Sequence, residues 1–395
     1  MRTHFVFPQL LVLLVSASLA ACSGQSFPGS QLLENLGSKT SRPAPLKPLK
    51  AVNNTINTKK VWQIKTANAN RSSKIHPFIN THNVIVAGSG QVSAWNKNSG
   101  KLAWKTSIGE LISAGVNGND DQVFIGTSKG NAIALDANTG KILWIERLES
   151  ELLAVSGAMN NRVVFRTIDG KLHGLTSNTG EIIWQQSQRT PALTLHGASV
   201  PVIIGNYVIA GFDNGKIATY ALATGKKAWE VTIAEPSGQN ELERMVDIDG
   251  KLKVMGTALF ASALNGSISG IDLIKGKTAW ARRFSSATGV DADPQGLYSS
   301  DSKGNIWKFQ PQTGQPVWKM DDLLRRQPST PILVKPGLLI VADKQGNLHW
   351  INAITGKFVA RNQGDPAGYL VAPVVDTNNT VYAFGKNGVL TKLMY

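Results

Sequence analysis

Few residues in this sequence are placed to carry out chemistry. The six histidines occur singly, and no H-E-x-x-H spacing brings two of them to one metal ion. The stretch GSGQVS from Gly88 begins like a dinucleotide-binding loop but lacks the third glycine. The stretch DADPQG from Asp291 begins like a calcium loop but has Ser302 where the bidentate glutamate should stand. We therefore predict no catalytic residue, no metal site and no cofactor, and we interpret both stretches as turns.

The single cysteine, Cys22, is the one residue whose surroundings indicate covalent chemistry. It follows a basic start, an apolar run over residues 5–19 and the pair Ala20-Ala21, which is the layout of a secretory signal peptide and is too short for a membrane span. The sequence LAAC resembles a bacterial lipobox, in which the cysteine becomes the acylated first residue of the mature chain. An ordinary signal peptide with a cysteine nearby is the alternative. We predict a signal peptide over 1–21 and a lipid anchor at Cys22. Ser23 is not the aspartate that favours inner-membrane retention, so the outer membrane, on its periplasmic face, is the expected location.

A tether and a basic surface are the next features of the sequence. Residues 22–58 carry four prolines among Ser, Asn, Gly and Lys, which predicts an extended linker. The net charge of +15 is spread along the chain, so an anionic lipid surface or an acidic protein would suit it as a partner, and a merely solubilising charge is the alternative. Basic and aromatic residues do not converge on an RNA-binding signature, so we expect no nucleic acid.

The elements that must position any binding residues come from a repeat of about 40 residues. Its turn, written NSGKLAW, NTGKILW and NTGEIIW in the first three copies, places a glycine at positions 100, 140, 180, 225, 276, 314 and 356. Tryptophan stands four residues after the first six of these glycines: Trp104, Trp144, Trp184, Trp229, Trp280 and Trp318. Another glycine precedes each of the seven turns by ten residues, and an eighth, Gly388, ends the series.

Each unit reads as short strands with alternating apolar residues, separated by Asn-, Asp- or Lys-containing turns that end in glycine. Four such strands make one propeller blade. The fold class is therefore all-β, an eight-bladed β-propeller over residues 59–395 with four-stranded antiparallel blades. The strand around Trp62 is expected to pair with the C-terminal strand and close the ring. The tryptophans are expected to fill the wedges between blades, and Ala360, which replaces the seventh, predicts different packing in its blade.

Two enlarged connections are the candidate binding surface. The strand glycines are separated by 40, 40, 45, 51, 38, 42 and 42 residues, so the two long intervals are consecutive. The first loop contains Leu193, Leu195 and His196, and the second contains Asp247 and Asp249, expected to form an acidic patch with Glu241 and Glu243. Since such connections leave one face of a propeller, the loops should form one ridge. An ordinary insertion with the leucines turned into the core is the alternative.

Repeats such as GNAIALDANTGKILW resemble those of pyrroloquinoline-quinone dehydrogenases, which would imply an enzyme. Those proteins are much longer and typically carry a vicinal disulfide, which a chain with one cysteine cannot form. The lipobox, the tether, the eight blades and the stretches LHWINAITGKFVAR and DDLLRRQPSTPIL are more similar to the BamB family of outer-membrane assembly lipoproteins.

The BamB resemblance implies a non-enzymatic scaffold that binds the periplasmic POTRA region of BamA within the BAM complex and assists folding and insertion of outer-membrane proteins. In that family a Leu-x-Leu-Arg loop and paired aspartates contact BamA, which corresponds here to Leu193, Leu195 and His196, then Asp247 and Asp249. His196 replaces the family's arginine, so the resemblance does not extend to a permanent positive charge at that position. Nascent outer-membrane proteins are a further partner that the resemblance suggests, through the open edges of the blades.

Overall fold

The structure is a computed structural model that describes residues 46, 48–69, 74–377 and 379–395. Cys22, the predicted signal peptide and most of the predicted tether lie outside these residues. The strands form eight four-stranded sheets. In seven of them the four strands follow one another along the chain, and the eighth combines the two ends of the described chain, in the order β1-β32-β31-β30.

The first four blades contain the strands β2 (Phe78–Ile79), β3 (Asn83–Gly88), β4 (Gln91–Asn96) and β5 (Leu102–Ser107); β6 (Ile112–Gly118), β7 (Gln122–Thr127), β8 (Asn131–Asp136) and β9 (Ile142–Arg147); β10 (Leu152–Val155), β11 (Arg162–Thr167), β12 (Lys171–Thr176) and β13 (Ile182–Ser187); β14 (Val202–Ile204), β15 (Tyr207–Gly211), β16 (Lys216–Ala221) and β17 (Lys227–Thr232).

The last four blades contain the strands β18 (Lys253–Met255), β19 (Ala258–Ser262), β20 (Ser267–Asp272) and β21 (Lys277–Arg283); β22 (Val290–Asp293), β23 (Gly296–Ser300), β24 (Ile306–Phe309) and β25 (Pro316–Met320); β26 (Ile332–Lys335), β27 (Leu338–Ala342), β28 (Asn347–Asn352) and β29 (Phe358–Gln363); β30 (Val374–Asp376), β31 (Thr380–Phe384), β32 (Val389–Met394) and β1 (Lys59–Lys65). Within the described residues one short helix occurs, Glu241–Arg244. The eight-bladed propeller is confirmed.

The repeated turn is held by its own side chains. In blade 2, Asp136 Oδ1 accepts hydrogen bonds from the backbone N–H groups of Asn138 and Thr139 at 3.0 and 2.7 Å. Gly140 then adopts a φ of +72°, a conformation that costs other residues energy. Its N–H donates to the carbonyl of Asp136 at 2.9 Å, which closes the turn. The polar residues and the glycine of the repeat are therefore both required by this one local structure.

In seven of the eight blades, a tryptophan of the outer strand packs on the turn glycine of the next blade. A Cβ atom added to Gly140 would lie 2.4 Å from a ring carbon of Trp104, so the ring occupies the space that only glycine leaves free. The Nε1–H of Trp104 donates to the carbonyl of Ala137 in the same turn at 2.9 Å. The contact recurs around the ring in the pairs Trp62–Gly100, Trp144–Gly180, Trp184–Gly225, Trp229–Gly276, Trp280–Gly314 and Trp318–Gly356. The prediction that tryptophans fill the space between blades is confirmed.

Ala360 occupies the tryptophan position of blade 7, and the next blade has no turn glycine for a tryptophan to pack on. The blade after it is the eighth, whose outer strands β32 and β1 are opposite ends of the propeller sequence, so no hairpin turn joins them. Ala360 is fully buried, and Ile56 and Tyr395 pack into the same cluster instead. The rings of Trp350 and Tyr395 lie 5.4 Å apart there. The different packing predicted for this blade is confirmed, and the absence of a turn is its cause.

The ring is closed by antiparallel pairing of β1 with β32, with Trp62 opposite Lys392. Trp62 packs against Tyr382, with ring centroids 5.8 Å apart. Just beyond the strand, the N–H of Thr66 donates to the carbonyl of Gly388 at 2.8 Å. The seam is therefore a full sheet contact, and closure by the strand around Trp62 is confirmed.

The end of the predicted tether lies against blade 7. The N–H of Thr55 donates to the carbonyl of Val359 at 2.8 Å, and Asn54 Oδ1 accepts from the N–H of Arg361 at 3.1 Å. Leu49 and Ile56 pack against core clusters. Contacts with the propeller thus begin near Leu49, before the predicted start at Lys59, because the outer edge of β29 is open and accepts an extended segment.

Trp62→Ala should lower the free energy of unfolding by about 3 kcal/mol, because it removes a large ring from the seam and from Gly100. Val61→Ala is the matched control on the same strand, since Val61 is exposed, and should change it by less than about 0.5 kcal/mol. Urea denaturation followed by far-UV circular dichroism measures both. Equally small losses of unfolding free energy in both variants would show that the seam does not depend on the indole ring of Trp62.

Candidate functional site

The candidate site is built from two connections between blades. Loop 1 (residues 188–201) joins β13 of blade 3 to β14 of blade 4, and loop 2 (residues 233–252) joins β17 of blade 4 to β18 of blade 5. Both run from an outer strand to the next inner strand. Because all blades share one strand order, connections of this type leave the same face of the ring. The two loops are neighbours on that face, as the sequence predicted.

Loop 1 presents its leucines without regular secondary structure. Leu193 is 39% exposed and Leu195 is half-buried, so neither belongs to the fully buried core that the alternative interpretation required. His196 is exposed, and its Nε2 lies 3.0 Å from Oε2 of Glu151, which directly precedes β10 of blade 3. The apolar part of the loop therefore faces solvent beside a polar pair.

Loop 2 divides its acidic residues between surface and interior. Asn240 caps the short helix, and its Oδ1 accepts a hydrogen bond from the N–H of Glu243 at 2.9 Å. Glu241 and Glu243, in the first turn of this helix, are exposed. The chain then turns inward, and Val246 and Ile248 enter the core between blades 4 and 5.

Asp247 and Asp249 alternate with these apolar residues, and they are 0% and 4% exposed. The predicted acidic patch is therefore wrong for Asp247 and Asp249. Burial of Val246 and Ile248 carries their neighbours inside.

The buried aspartates lie directly beneath loop 1. The backbone N–H of Leu195 donates to Asp247 Oδ2. A Cβ atom added at Gly197 would lie 2.8 Å from Asp249 Oδ2, so loop 1 passes against that carboxylate as well. The structure thus brings Leu195, Asp247 and Asp249 together, with the aspartates acting as the floor of the leucine loop.

Two further buried residues complete this floor. Arg166 is fully buried on β11, where its Nη2 lies 2.5 Å from Asp213 Oδ1 and its Nη1 donates to the carbonyl of Gly211 at 2.7 Å. Sequence reasoning missed both Arg166 and Asp213. A signal was present, because Arg166 occupies the position that Gly126 holds in the preceding repeat, and a charge inside a strand buried on both faces requires a partner.

The carboxylates of the floor also meet one another. One oxygen each from Asp213, Asp247 and Asp249 lies within 4.8 Å of the others, a set that could ligate a cation. Arg166 already supplies a positive charge at Asp213. Neither oxygen of Asp249 has a hydrogen-bond partner among the described residues.

Burial sets the protonation of this pair. It raises the pKa of Asp247 to about 7, against the opposing hydrogen bond from Leu195 and with a further contribution from Asp249. It raises the pKa of Asp249 to about 6, opposed by the positive charges of Lys74 and Arg166. The two carboxyls are therefore neutral more readily than surface aspartates, which lowers the cost of holding them under loop 1.

Fold and surface together define an eight-bladed propeller of PQQ-like repeats, with loop 1 and loop 2 side by side on one face. The family described as outer membrane protein assembly factor BamB matches residues 49–114 and 89–320. The chain belongs to the BamB family.

Relatives of the same name support this assignment. The chain is 33% identical to the Escherichia coli protein over 83% of this chain and 87% of that one. It is 44% identical to the Kangiella koreensis protein over 74% and 75%, and 38% identical to the Legionella pneumophila protein over 90% and 92%.

Solved structures agree with the fold. The crystal structure of BamB from Moraxella catarrhalis matches with a TM-score of 0.79 and 27% identity, over 86% of this chain and all of that one. The quinohemoprotein alcohol dehydrogenase from Comamonas testosteroni matches with a TM-score of 0.67 but only 13% identity, over 85% and 76%, which shows the fold alone. In the part of the chain that the structure describes, no helix is long and apolar enough to cross a membrane.

Asp249→Asn should stabilise the folded protein at pH 7.5 by about 1 to 3 kcal/mol, because it replaces a buried, unpartnered charge by a neutral group. The folded-state pKa is raised, so the folded protein holds this proton more tightly than the unfolded chain does. The contribution of Asp249 to stability is present below about pH 4 and is lost as the pH rises through about 6. The gain in the variant should therefore shrink towards pH 5.

Chemical denaturation of the variant and the wild type at pH 5 and pH 7.5 measures this difference. His76, whose burial lowers its pKa to about 4, has the opposite pH dependence but cancels in the comparison. Asp120→Asn is the control. The pKa of Asp120 is lowered by hydrogen bonds from Thr81, so its effect should not change between these two pH values. A gain in stability for Asp249→Asn that is the same at both pH values would contradict the raised pKa of Asp249.

Proposed function

We propose that this chain is a non-enzymatic scaffold of the outer-membrane β-barrel assembly complex and binds the POTRA region of a BamA protein through loop 1. The observation that carries the proposal is the leucine pair on loop 1, exposed at Leu193 and held from below by Asp247. Membership of the BamB family supports the same role, because its members are named as outer-membrane protein assembly factors.

The leucines act as the anchor of the contact. Apolar side chains that enter a partner's pocket and lose water supply most of the affinity of a protein interface. An anchor is useful only if it is held in one conformation before binding, since ordering a mobile loop costs free energy. The hydrogen bond from Leu195 to Asp247 provides that order.

The carboxylates and the histidine act indirectly. Asp247 and Asp249 are buried, so they shape loop 1 instead of pairing with the partner across the surface. His196 extends beside Glu151 at the edge of the ridge, where it gives orientation more than affinity. The paired aspartates of the family are therefore assigned a positioning role in this chain.

The lipid anchor holds this surface near its partner. Acylation of Cys22 with several chains fixes a protein stably to a membrane. Contacts with the propeller begin near Leu49, so the intervening chain can extend at most roughly 100 Å, which keeps loop 1 within reach of the membrane surface. Attachment to the outer membrane on its periplasmic face belongs to this proposal.

Leu195→Asp should abolish co-purification of the BamA protein from detergent-solubilised envelopes, because a charge at the anchor cannot be buried without a partner. The fold should be unchanged, since Leu195 is only half-buried. Leu102→Asp is the matched control, as Leu102 is 49% exposed on the outer edge of blade 1. Retention of BamA by the Leu195 variant, or its loss from both variants, would place the interface elsewhere.

Replacing residues 1–22, including Cys22, by a signal peptide of the ordinary type should move the protein from the membrane fraction to the soluble periplasmic fraction, because the new signal is cleaved without acylation and the acylation site is gone. Fractionation with immunoblotting, together with the shift in mass caused by the acyl chains, measures this. Co-purification with BamA from a soluble mixture should persist. A variant that stays in the membrane fraction without acyl chains would show that the propeller itself binds the membrane.

A further inference from the structure

A second binding surface lies on the other side of loop 2. A groove of about 730 Å³ opens between the short helix of loop 2 and the outer parts of blades 5 and 6. Leu242 and Glu243 line its loop side, and Arg283, Lys303 and Lys319 line its blade side. We call it the loop 2 groove. Leu195 contacts loop 2 at Asp247, away from these residues.

The groove carries more positive than negative side chains. Arg283, Lys303 and Lys319 are all exposed. Among residues 46, 48–69, 74–377 and 379–395, none of these three forms an ion pair within 4.0 Å. Lys319 instead lies over the ring of Trp307, with its Nζ 5.2 Å from the ring centroid. Three cations therefore face one space.

The two carboxylates at the groove are already occupied. Asp301 Oδ2 accepts from Asn305 Nδ2 at 2.6 Å and from Trp307 Nε1 at 2.9 Å. Glu243 accepts from the N–H of Gln239 and from Asn240 Nδ2, each at 2.8 Å, so it belongs to the helix cap. These donors are neutral, so both carboxylates keep their charge, and the three cations and two carboxylates that line the groove sum to a net charge of +1. The groove is thus built to attract an anion.

Apolar surface lies beside the charges. Leu242 is 68% exposed at the rim, and its carbonyl accepts from Asn265 Nδ2 at 3.0 Å, which fixes the backbone there. Trp307 is stacked on Phe309 with centroids 5.7 Å apart and an interplanar angle of 9°. One face of Trp307 is covered by this ring and Lys319 lies over the indole, so the indole is not a free platform on which a nucleobase would stack.

We infer that the loop 2 groove binds an acidic segment of polypeptide that carries an apolar side chain. Carboxylates of the segment would meet Arg283, Lys303 and Lys319, and the apolar side chain would cover Leu242. Charge complementarity favours this occupant, since the protein has a net charge of +15 and would steer an acidic segment toward itself. The volume of about 730 Å³ is also in the range of ligand-binding pockets.

The test uses the full chain in detergent and a fluorescein-labelled peptide of alternating Glu and Leu. Peptides with Gln or Lys in place of Glu are compared with it by fluorescence anisotropy at low salt. The Glu peptide should bind and the other two should not. The triple variant Arg283→Gln, Lys303→Gln, Lys319→Gln should weaken binding about tenfold, as expected for three solvent-accessible charge contacts. Leu242→Asp should weaken binding further.

A matched triple variant separates the groove from overall charge. Lys101→Gln, Lys141→Gln and Lys226→Gln remove the same net charge from exposed turns of blades 1, 2 and 4, and should leave binding within twofold of the wild type. Circular dichroism verifies the fold of each variant. Equal weakening by both triple variants, or no binding of the Glu peptide, would overturn the inference.

Two further probes decide the class of ligand. The first probe is binding to vesicles of anionic phosphatidylglycerol. If the groove residues bind these vesicles but not the peptide, the groove belongs to lipid headgroups and the inference is contradicted. Leu195→Asp should leave peptide binding unchanged, so this result stands or falls separately from the proposed BamA contact.

Discussion

The packing of each tryptophan on the turn glycine of the next blade is the contact on which the ring depends. A propeller blade is a single sheet, and it cannot bury its faces without neighbours. The tryptophan ring fills the wedge that widens away from the axis, and it lies in space that a Cβ atom at the turn glycine would occupy. At Trp104, Trp144, Trp184, Trp280 and Trp318 the indole N–H also donates to a backbone carbonyl of the next blade, which helps to fix the angle between blades as well as their distance. Seven such contacts join eight blades.

The eighth junction shows why the pattern stops where it does. Ala360 faces a blade whose outer strands come from the two ends of the propeller, so there is no turn for a ring to cover. The space is filled by Ile56 and Tyr395, which come from those same two ends. Closure of the ring, loss of the tryptophan and docking of residues 48–58 on β29 are thus three consequences of one arrangement. The stability of the seam depends on pairing between distant segments, which the chain can form only when the other blades are in place.

The candidate surface on loop 1 depends on polar groups buried beneath it. Loop 1 carries the exposed Leu193 and the half-buried Leu195, and the hydrogen bond from the Leu195 N–H to the buried Asp247 holds it from beneath. A buried carboxylate costs free energy, and the raised pKa of each aspartate reduces that cost. The loop 2 groove differs, because its charges lie at the surface and its apolar residues are held by local caps and ring stacking. One face of the propeller therefore offers two surfaces of different chemistry.

Much of this architecture follows from the sequence alone, because turn chemistry and strand alternation are local. The positions of Gly140 and Trp104 predict the turn and the outer strand, and their period predicts eight blades. The strand around Trp62 could be assigned to the seam because every other unit already had four strands. The neighbouring enlarged loops could be placed on one face for the same reason, since the order of strands in a blade fixes where each connection emerges.

The sequence could not decide which acidic residues of loop 2 reach solvent. Asp247 and Asp249 look like surface residues in a polar segment, and only the packing of Val246 and Ile248 between two blades carries them inside. The role of Arg166 was hidden likewise, since its partner Asp213 lies in the next blade. Local patterns determined the blades, while contacts between blades determined which polar groups are buried, because those contacts join residues that are distant in the chain.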